Sequence, residues 1–310
     1  MVKRGGRALS RICRLGPRGP ISALGFAAGA VALWSSNALV AKALLANHPV
    51  SQVQFLQFAG AALVFAVIRL VSRDRAAAPM ATGVMLAATA VGFVGLVGTM
   101  VLQYVAFASM PVIEANLVAY TWPLMIAAAV IVLEHPRRPA LLGLAAVSGL
   151  VGVALVISGG RDHPWFQGHP SGYLAAFGSA LCMAFYSVVV GRVAVSPDRL
   201  LLPSSLIGVA LTFLWCAWDG VPWPTGWDLA LALYLGAGPM GLGYYFWSRA
   251  LKLGGGGRVA VVAYLTPIAS TLLLTLSGER LTMTAIAGAV LVIGSCIAVG
   301  VERSEAGTHV

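Results

Sequence analysis

The stretch from Val112 to Leu133 constrains this chain more than any other. It reads V-I-E-A-N-L-V-A-Y-T-W-P-L-M-I-A-A-A-V-I-V-L, about 22 residues, enough to cross a hydrocarbon core of roughly 30 Å as a helix. Its first half nevertheless carries Glu114, Asn116, Tyr120, Thr121 and Trp122, followed by Pro123. A proline inside a helix removes one backbone donor, and here it would free the carbonyl of Ala119. Groups of this kind need protein or water beside them at membrane depth. The pattern partly returns further on, where Ala119-Tyr120-Thr121-Trp122-Pro123 is echoed by Ala263-Tyr264-Leu265-Thr266-Pro267.

Composition fixes the setting of that helix. With 59% hydrophobic and 10% charged residues, the chain has too little polar surface to cover a soluble fold. Apolar runs cover roughly Ile21–Leu45, Val53–Val71, Thr82–Phe107, Val112–Leu133, Leu141–Ile157, Tyr173–Gly191, Leu200–Ala217, Leu229–Trp247, Val259–Leu276 and Met283–Val301. They predict an all-α polytopic membrane protein of ten transmembrane helices. The basic segment before Ile21 resembles the start of a signal peptide, but the first run is long and lacks a convincing cleavage site, so an uncleaved first span is expected.

Charge gives the expected orientation. If the N-terminus is cytoplasmic, all of the 20 Lys and Arg except Lys42, Arg161 and Arg280 fall on the cytoplasmic side, the bias that bacterial inner-membrane proteins follow. Both termini are then cytoplasmic and the net charge of +10 faces anionic membrane lipids rather than nucleic acid. Trp215, Trp218, Trp223 and Trp227 crowd one outer connection and read as an interfacial aromatic belt.

Further matches accompany the Tyr-x-x-Pro echo. Glu134, Gly143 and Gly149 align with Glu279, Gly288 and Gly294, Ala106 with Ala250, and Lys42 with Arg192. A repeat of five helices is odd-numbered, so the second copy enters the membrane from the opposite side. The expected plan is two inverted five-helix repeats around a central cavity. The expected divisions are a cytoplasmic tail 1–20, a first repeat 21–158, an outer linker 159–172, a second repeat 173–301 and a tail 302–310.

Enzyme chemistry finds no motif here. The apolar segments hold no His-Glu-x-x-His, nucleophile elbow, Walker loop or acidic cluster for a metal, and the four cysteines have no ligand-like spacing. No cofactor is expected. The expected partner is a small-molecule substrate, and the glycine pairs of the spans are compatible with a monomer.

The polar and aromatic residues within the spans are candidates to bind that substrate. Trp34 and Asn37 share a face of the first helix, Thr99 and Gln103 of the third, Asn116 and Tyr120 of the fourth, and Ser179, Met183, Tyr186 and Ser187 of the sixth. Tyr244, Trp247 and Ser248 align on the eighth, and Tyr264 and Thr271 belong to the ninth. Singly, each is an ordinary helix-packing residue. Together they fall on corresponding helices of both halves, as a shared cavity requires. On a continuous fourth helix, Glu114, Thr121 and Trp122 would lie nearly opposite Asn116 and Tyr120, so only one set is expected to reach the cavity. Pro123 and Pro267 are expected to act as paired bending points.

Leu33-Trp34-Ser35-Ser36, the Tyr-x-x-Pro pair and Glu279-Arg280-Leu281 resemble the drug/metabolite transporter superfamily in its EamA-type exporter branch. Ile113-Glu114-x-x-x-Val118-x-Tyr120-x-Trp122-Pro123, Tyr244-x-x-Trp247 and Tyr264-x-Thr266-Pro267 look like the aromatic amino-acid exporters of that branch. The resemblance implies a basket of helices with a cavity lined by the first, third, fourth, sixth, eighth and ninth. It makes Glu114, Tyr120, Trp122, Tyr244, Trp247 and Tyr264 site candidates and places a basic residue where Lys42 stands. Met183 departs from it, standing where such exporters carry a tryptophan. The expected function is export of aromatic and other neutral amino acids. Facilitated diffusion ranks above proton coupling, because the acidic candidates lie near span ends. The alternatives are a proton-coupled exporter of lipophilic cations or metabolites and, in another class, a membrane receptor or scaffold that moves nothing.

Overall fold

The structure is a computed structural model that describes residues 18–72, 81–136, 138–158, 168–220, 222–254, 256–276 and 282–306. Most of the basic tail, Arg73, Arg75, Arg137, Arg161, Glu279 and Arg280 lie outside the described residues, as does 159–167 of the expected linker. The regular structure described is helical. Eight helices among these residues are long and apolar enough to span a membrane. They are α1 (Ser22–Leu45), α2 (Val50–Val71), α3 (Thr82–Ser109), α4 (Val112–Glu134), α5 (Pro139–Ser158), α6 (Pro170–Val190), α7 (Pro197–Asp219) and α8 (Gly226–Gly254). Two shorter apolar helices follow, α9 (Val259–Leu273) and α10 (Met283–Ala298). Large apolar side chains such as Leu63, Leu86, Leu144, Leu174, Leu214 and Val290 point outward along them, a surface suited to lipid rather than water.

Packing pairs the helices in a pattern that survives exchange of the halves. The principal contacts are α1 with α8, α3 with α6, α2 with α7 and α5 with α10. Exchanging each helix for the one five places along turns the first two pairs into each other and leaves the last two unchanged. Glycine sets the closest approaches. A Cβ on Gly152 would stand 2.7 Å from the carbonyl oxygen of Gly288, and one on Gly288 would stand 2.5 Å from that of Gly152, so α5 and α10 cross backbone to backbone.

Five of these helices are irregular near mid-length. α1 is interrupted at Ser35–Ser36, α4 at Tyr120–Thr121 and α9 at Ala263–Tyr264. α3 widens to π-helix over Phe93–Gly98 and α8 over Gly236–Leu242, the latter around Pro239, which has no donor to offer. The two π-segments begin 143 positions apart, at Phe93 and Gly236, and so do the interruptions at Tyr120 and Ala263. The backbone thus repeats its defects as well as its residues.

The interruption in α4 corrects the reading of Pro123 as a helix-interior proline. Tyr120 adopts φ −66° and ψ 4°, and a new segment starts at Trp122, placing Pro123 in its first turn. A missing N–H costs nothing there, because the first four donors of a helix have no partner within it. Pro267 likewise stands just inside the segment that starts at Leu265. The breaks themselves lie upstream of both prolines.

Candidate functional site

A cavity of about 410 Å³ occupies the space between the halves. Its mouth is formed by Lys42 at the end of α1, Ile113 at the start of α4, Ile157 at the end of α5 and Ala285 at the start of α10. Its depth is reached at Trp34, Trp122, Met183 and Tyr244, near the helix irregularities. Lys42 is the one charged side chain in the lining described.

The floor is an aromatic cluster that closes on itself. Trp34 stands edge-on to Trp122 with ring centroids 6.5 Å apart and edge-on to Tyr244 at 5.9 Å. Trp247 lies behind them, 5.3 Å from Trp122 and 5.4 Å from Trp34. Such edge-to-face pairs are favourable beyond the area they bury. Each polar end is tied down: Trp34 Nε1 donates to the carbonyl of Pro239 at 2.9 Å, Trp247 Nε1 donates to Ser187 Oγ at 3.0 Å, and the Tyr244 hydroxyl donates to the carbonyl of Gly95 at 3.2 Å. The acceptor carbonyls of Pro239 and Gly95 come from the two π-segments, so the irregular backbone is satisfied by the floor it supports.

The structure divides the expected site residues into two shells. Trp34, Asn37, Asn116, Tyr120, Trp122, Met183 and Tyr244 line the cavity. Tyr186, Ser187, Trp247 and Tyr264 are buried behind the lining. The Tyr186 hydroxyl pairs with Ser248 Oγ at 2.6 Å, while its ring fills the space where a Cβ on Gly95 would be. The Tyr264 ring packs over Gly149 in the same way. Glu114 is also buried away from the lining, where its carboxylate accepts a hydrogen bond from the Tyr173 hydroxyl on α6. That placement leaves it outside the lining, unlike Asn116 and Tyr120 of the same helix.

Of the residues expected on the opposed face of α4, Glu114 and Thr121 stay out of the lining and Trp122 alone departs from the expectation. Because the helix stops at Tyr120 and restarts, Trp122 is turned to the same side as Asn116 and Tyr120, and all three line the cavity. Behind Asn37 on α1 runs a chain of polar groups that the expected site lacks. The Tyr104 hydroxyl donates to Asn37 Oδ1 at 3.1 Å and accepts from Gln57 Nε2 at 2.7 Å, and Gln57 Oε1 accepts from Gln54. Three glutamines within a six-residue stretch of an apolar span, Gln52, Gln54 and Gln57, were the available signal.

The face opposite the mouth is closed by charge. Arg192, just beyond α6, donates to Glu134 at the end of α4 at 2.6 Å, and Lys252 at the end of α8 donates to the carbonyl of Val193 at 2.6 Å. Arg69 at the end of α2 meets Asp198 at the start of α7 at 3.3 Å.

These features have counterparts among known proteins. The model of the EamA-like transporter family matches residues 21–158 and again 170–301. The chain belongs to the EamA-like transporter family. It is accordingly a multi-pass membrane protein of a transport family. A curated relative, the aromatic amino acid exporter YddG of Ancylobacter novellus, is 33% identical over 218 residues, which are 68% of this chain and 75% of the relative. A protein of known crystal structure superimposes with a TM-score of 0.78 at 28% identity, over 90% of this chain and 98% of that one.

Proposed function

We propose that this EamA-family protein exports aromatic and other neutral amino acids across the inner membrane by alternating access, as a facilitator without ion coupling. The carrying observation is the lining of the cavity: a floor of Trp34, Trp122 and Tyr244, polar walls, a lone Lys42 and no carboxylate among the described lining residues. An aromatic ring gains apolar and edge-to-face contact on that floor. A zwitterion tolerates a wall with one cation, whereas a lipophilic cation finds no counter-charge. The name of the Ancylobacter relative supports the same substrate class.

The reading takes all ten apolar helices as spans, in two inverted halves, with both termini cytoplasmic. The cavity mouth then faces outward, and the Glu134–Arg192 pair lies on the closed inner face. Alternating access follows from exchanging the roles of the halves. Proton coupling through Glu114 is disfavoured because its carboxylate is engaged by Tyr173.

Exchange of radiolabelled tryptophan in proteoliposomes, with no ion gradient, tests the proposal. Accumulation of label that unlabelled neutral amino acids suppress is the expected result. Exchange only under a pH gradient, or competition only by a cationic dye, would replace the proposal with proton-coupled export of lipophilic cations. No exchange under any gradient would favour a receptor.

A further inference from the structure

The floor holds two threonine hydroxyls that each face a tyrosine hydroxyl and have no other partner among the described residues. Thr99 on α3 and Thr266 on α9 are 5% and 3% exposed, line the cavity, and reach no partner of good hydrogen-bond geometry through Oγ1. A buried hydroxyl left without a well-formed hydrogen bond is costly, and a ligand that completes it is favoured. Each stands against a tyrosine hydroxyl contributed by the other half: Thr99 beside Tyr244 of α8, and Thr266 beside Tyr120 of α4. The two couples therefore join corresponding helices, α3 with α8 and α4 with α9, at the level of the tryptophan floor.

The chemistry of the couples differs. The Tyr244 proton is committed to the carbonyl of Gly95, so the Thr99 couple offers oxygen lone pairs in excess of protons. That suits an ammonium group, which only donates. In the Thr266 couple two hydroxyls face each other, and a bond between them spends only one of their two protons. That leaves a donor for a carboxylate, in a cavity whose one charged lining residue is Lys42.

We infer that the Thr99–Tyr244 and Tyr120–Thr266 couples read the two ends of an α-amino acid head group, the first its ammonium and the second its carboxylate, while the side chain rests on the tryptophan floor. This rests on the amino-acid reading of the cavity and adds to it which residues discriminate amino acids from their decarboxylated or deaminated analogues. A substrate that satisfies both couples ties the two halves together through itself.

The test is competition against labelled tryptophan exchange by tryptophan, by tryptamine, which lacks the carboxylate, and by indole-3-propionate, which lacks the amino group. It uses the wild type, Thr99→Val and Thr266→Val, with Thr→Ser at each site to restore the hydroxyl. Loss of a hydrogen bond to a charged group weakens binding by about 10-fold or more. Thr99→Val is expected to weaken tryptophan and tryptamine by that factor and leave indole-3-propionate unchanged. Thr266→Val is expected to weaken tryptophan and indole-3-propionate and leave tryptamine unchanged. The serine variants are expected to behave as wild type. Equal weakening of all three compounds, or no change in any, overturns the inference while leaving the amino-acid reading intact. A wild type that exchanges no tryptophan overturns that reading instead.

Discussion

The Glu134–Arg192 pair should hold the closed face shut by a small, measurable amount. Its N–O distance is 2.6 Å, but the side chains are 48% and 43% exposed, so solvent screens the attraction. Exposed pairs of this kind contribute about 0.2–1 kcal/mol, equivalent to a roughly 1.4- to 5-fold bias in a two-state equilibrium. If opening of that face separates the ends of α4 and α6, Glu134→Gln and Arg192→Gln should each speed tryptophan exchange within that range, provided opening limits the rate. The double variant should be no faster than either single one, because the second substitution has nothing left to break. A Glu134→Arg/Arg192→Glu swap should return the rate toward wild type, and raised salt should mimic the neutral variants. The assay is the initial rate of exchange in proteoliposomes, read as a double-mutant cycle. Additive effects of the two single substitutions, or a rate indifferent to salt, would refute the claim that this pair resists opening.

Three further outcomes are expected. Glu114→Gln should retain tryptophan exchange without a gradient, since the residue bonds to Tyr173 outside the cavity lining; loss of exchange with the fold intact would restore a coupling role. Gly95→Ala places a Cβ 2.1 Å from Cδ2 of Tyr186 and should cost about 1–3 kcal/mol by overpacking, seen as a lower Tm in detergent. Pro123→Ala should leave the tryptophan concentration for half-maximal competition within about 2-fold while slowing exchange, because the proline caps the start of a segment whose break lies before it; an unchanged rate would count against a role in bending.

Hydropathy made the helical plan legible, since nothing but a helix satisfies its own backbone over a long apolar run. Face-sharing arguments then located much of the cavity, including Trp34 with Asn37 and Asn116 with Tyr120. They failed at α4 because they assume an unbroken 3.6-residue period, and the interruption at Tyr120–Thr121 turns Trp122 by an amount no periodicity encodes. The sequence marked Tyr186, Trp247 and Tyr264 as strongly as Tyr244, but only packing decides which aromatic meets the cavity and which supports it. Gln54 and Gln57 went unread for a related reason: their partner Tyr104 lies on another helix, and the hydrogen bond joining them spans 47 residues of chain between Gln57 and Tyr104.

The interruptions divide each broken helix into two arms that meet at an elbow. The arm of α4 from Trp122 to Glu134 has 13 residues, about 20 Å at 1.5 Å per residue. A tilt of about 10° at the elbow would carry its far end some 3 Å by the same geometry, while Tyr120, at the fulcrum, would scarcely move. An arm of that reach turns a slight rearrangement around the substrate into a displacement comparable with the Glu134–Arg192 contact distance. The position of the elbow, rather than the softness of the whole helix, would set how far one face parts when the other draws in.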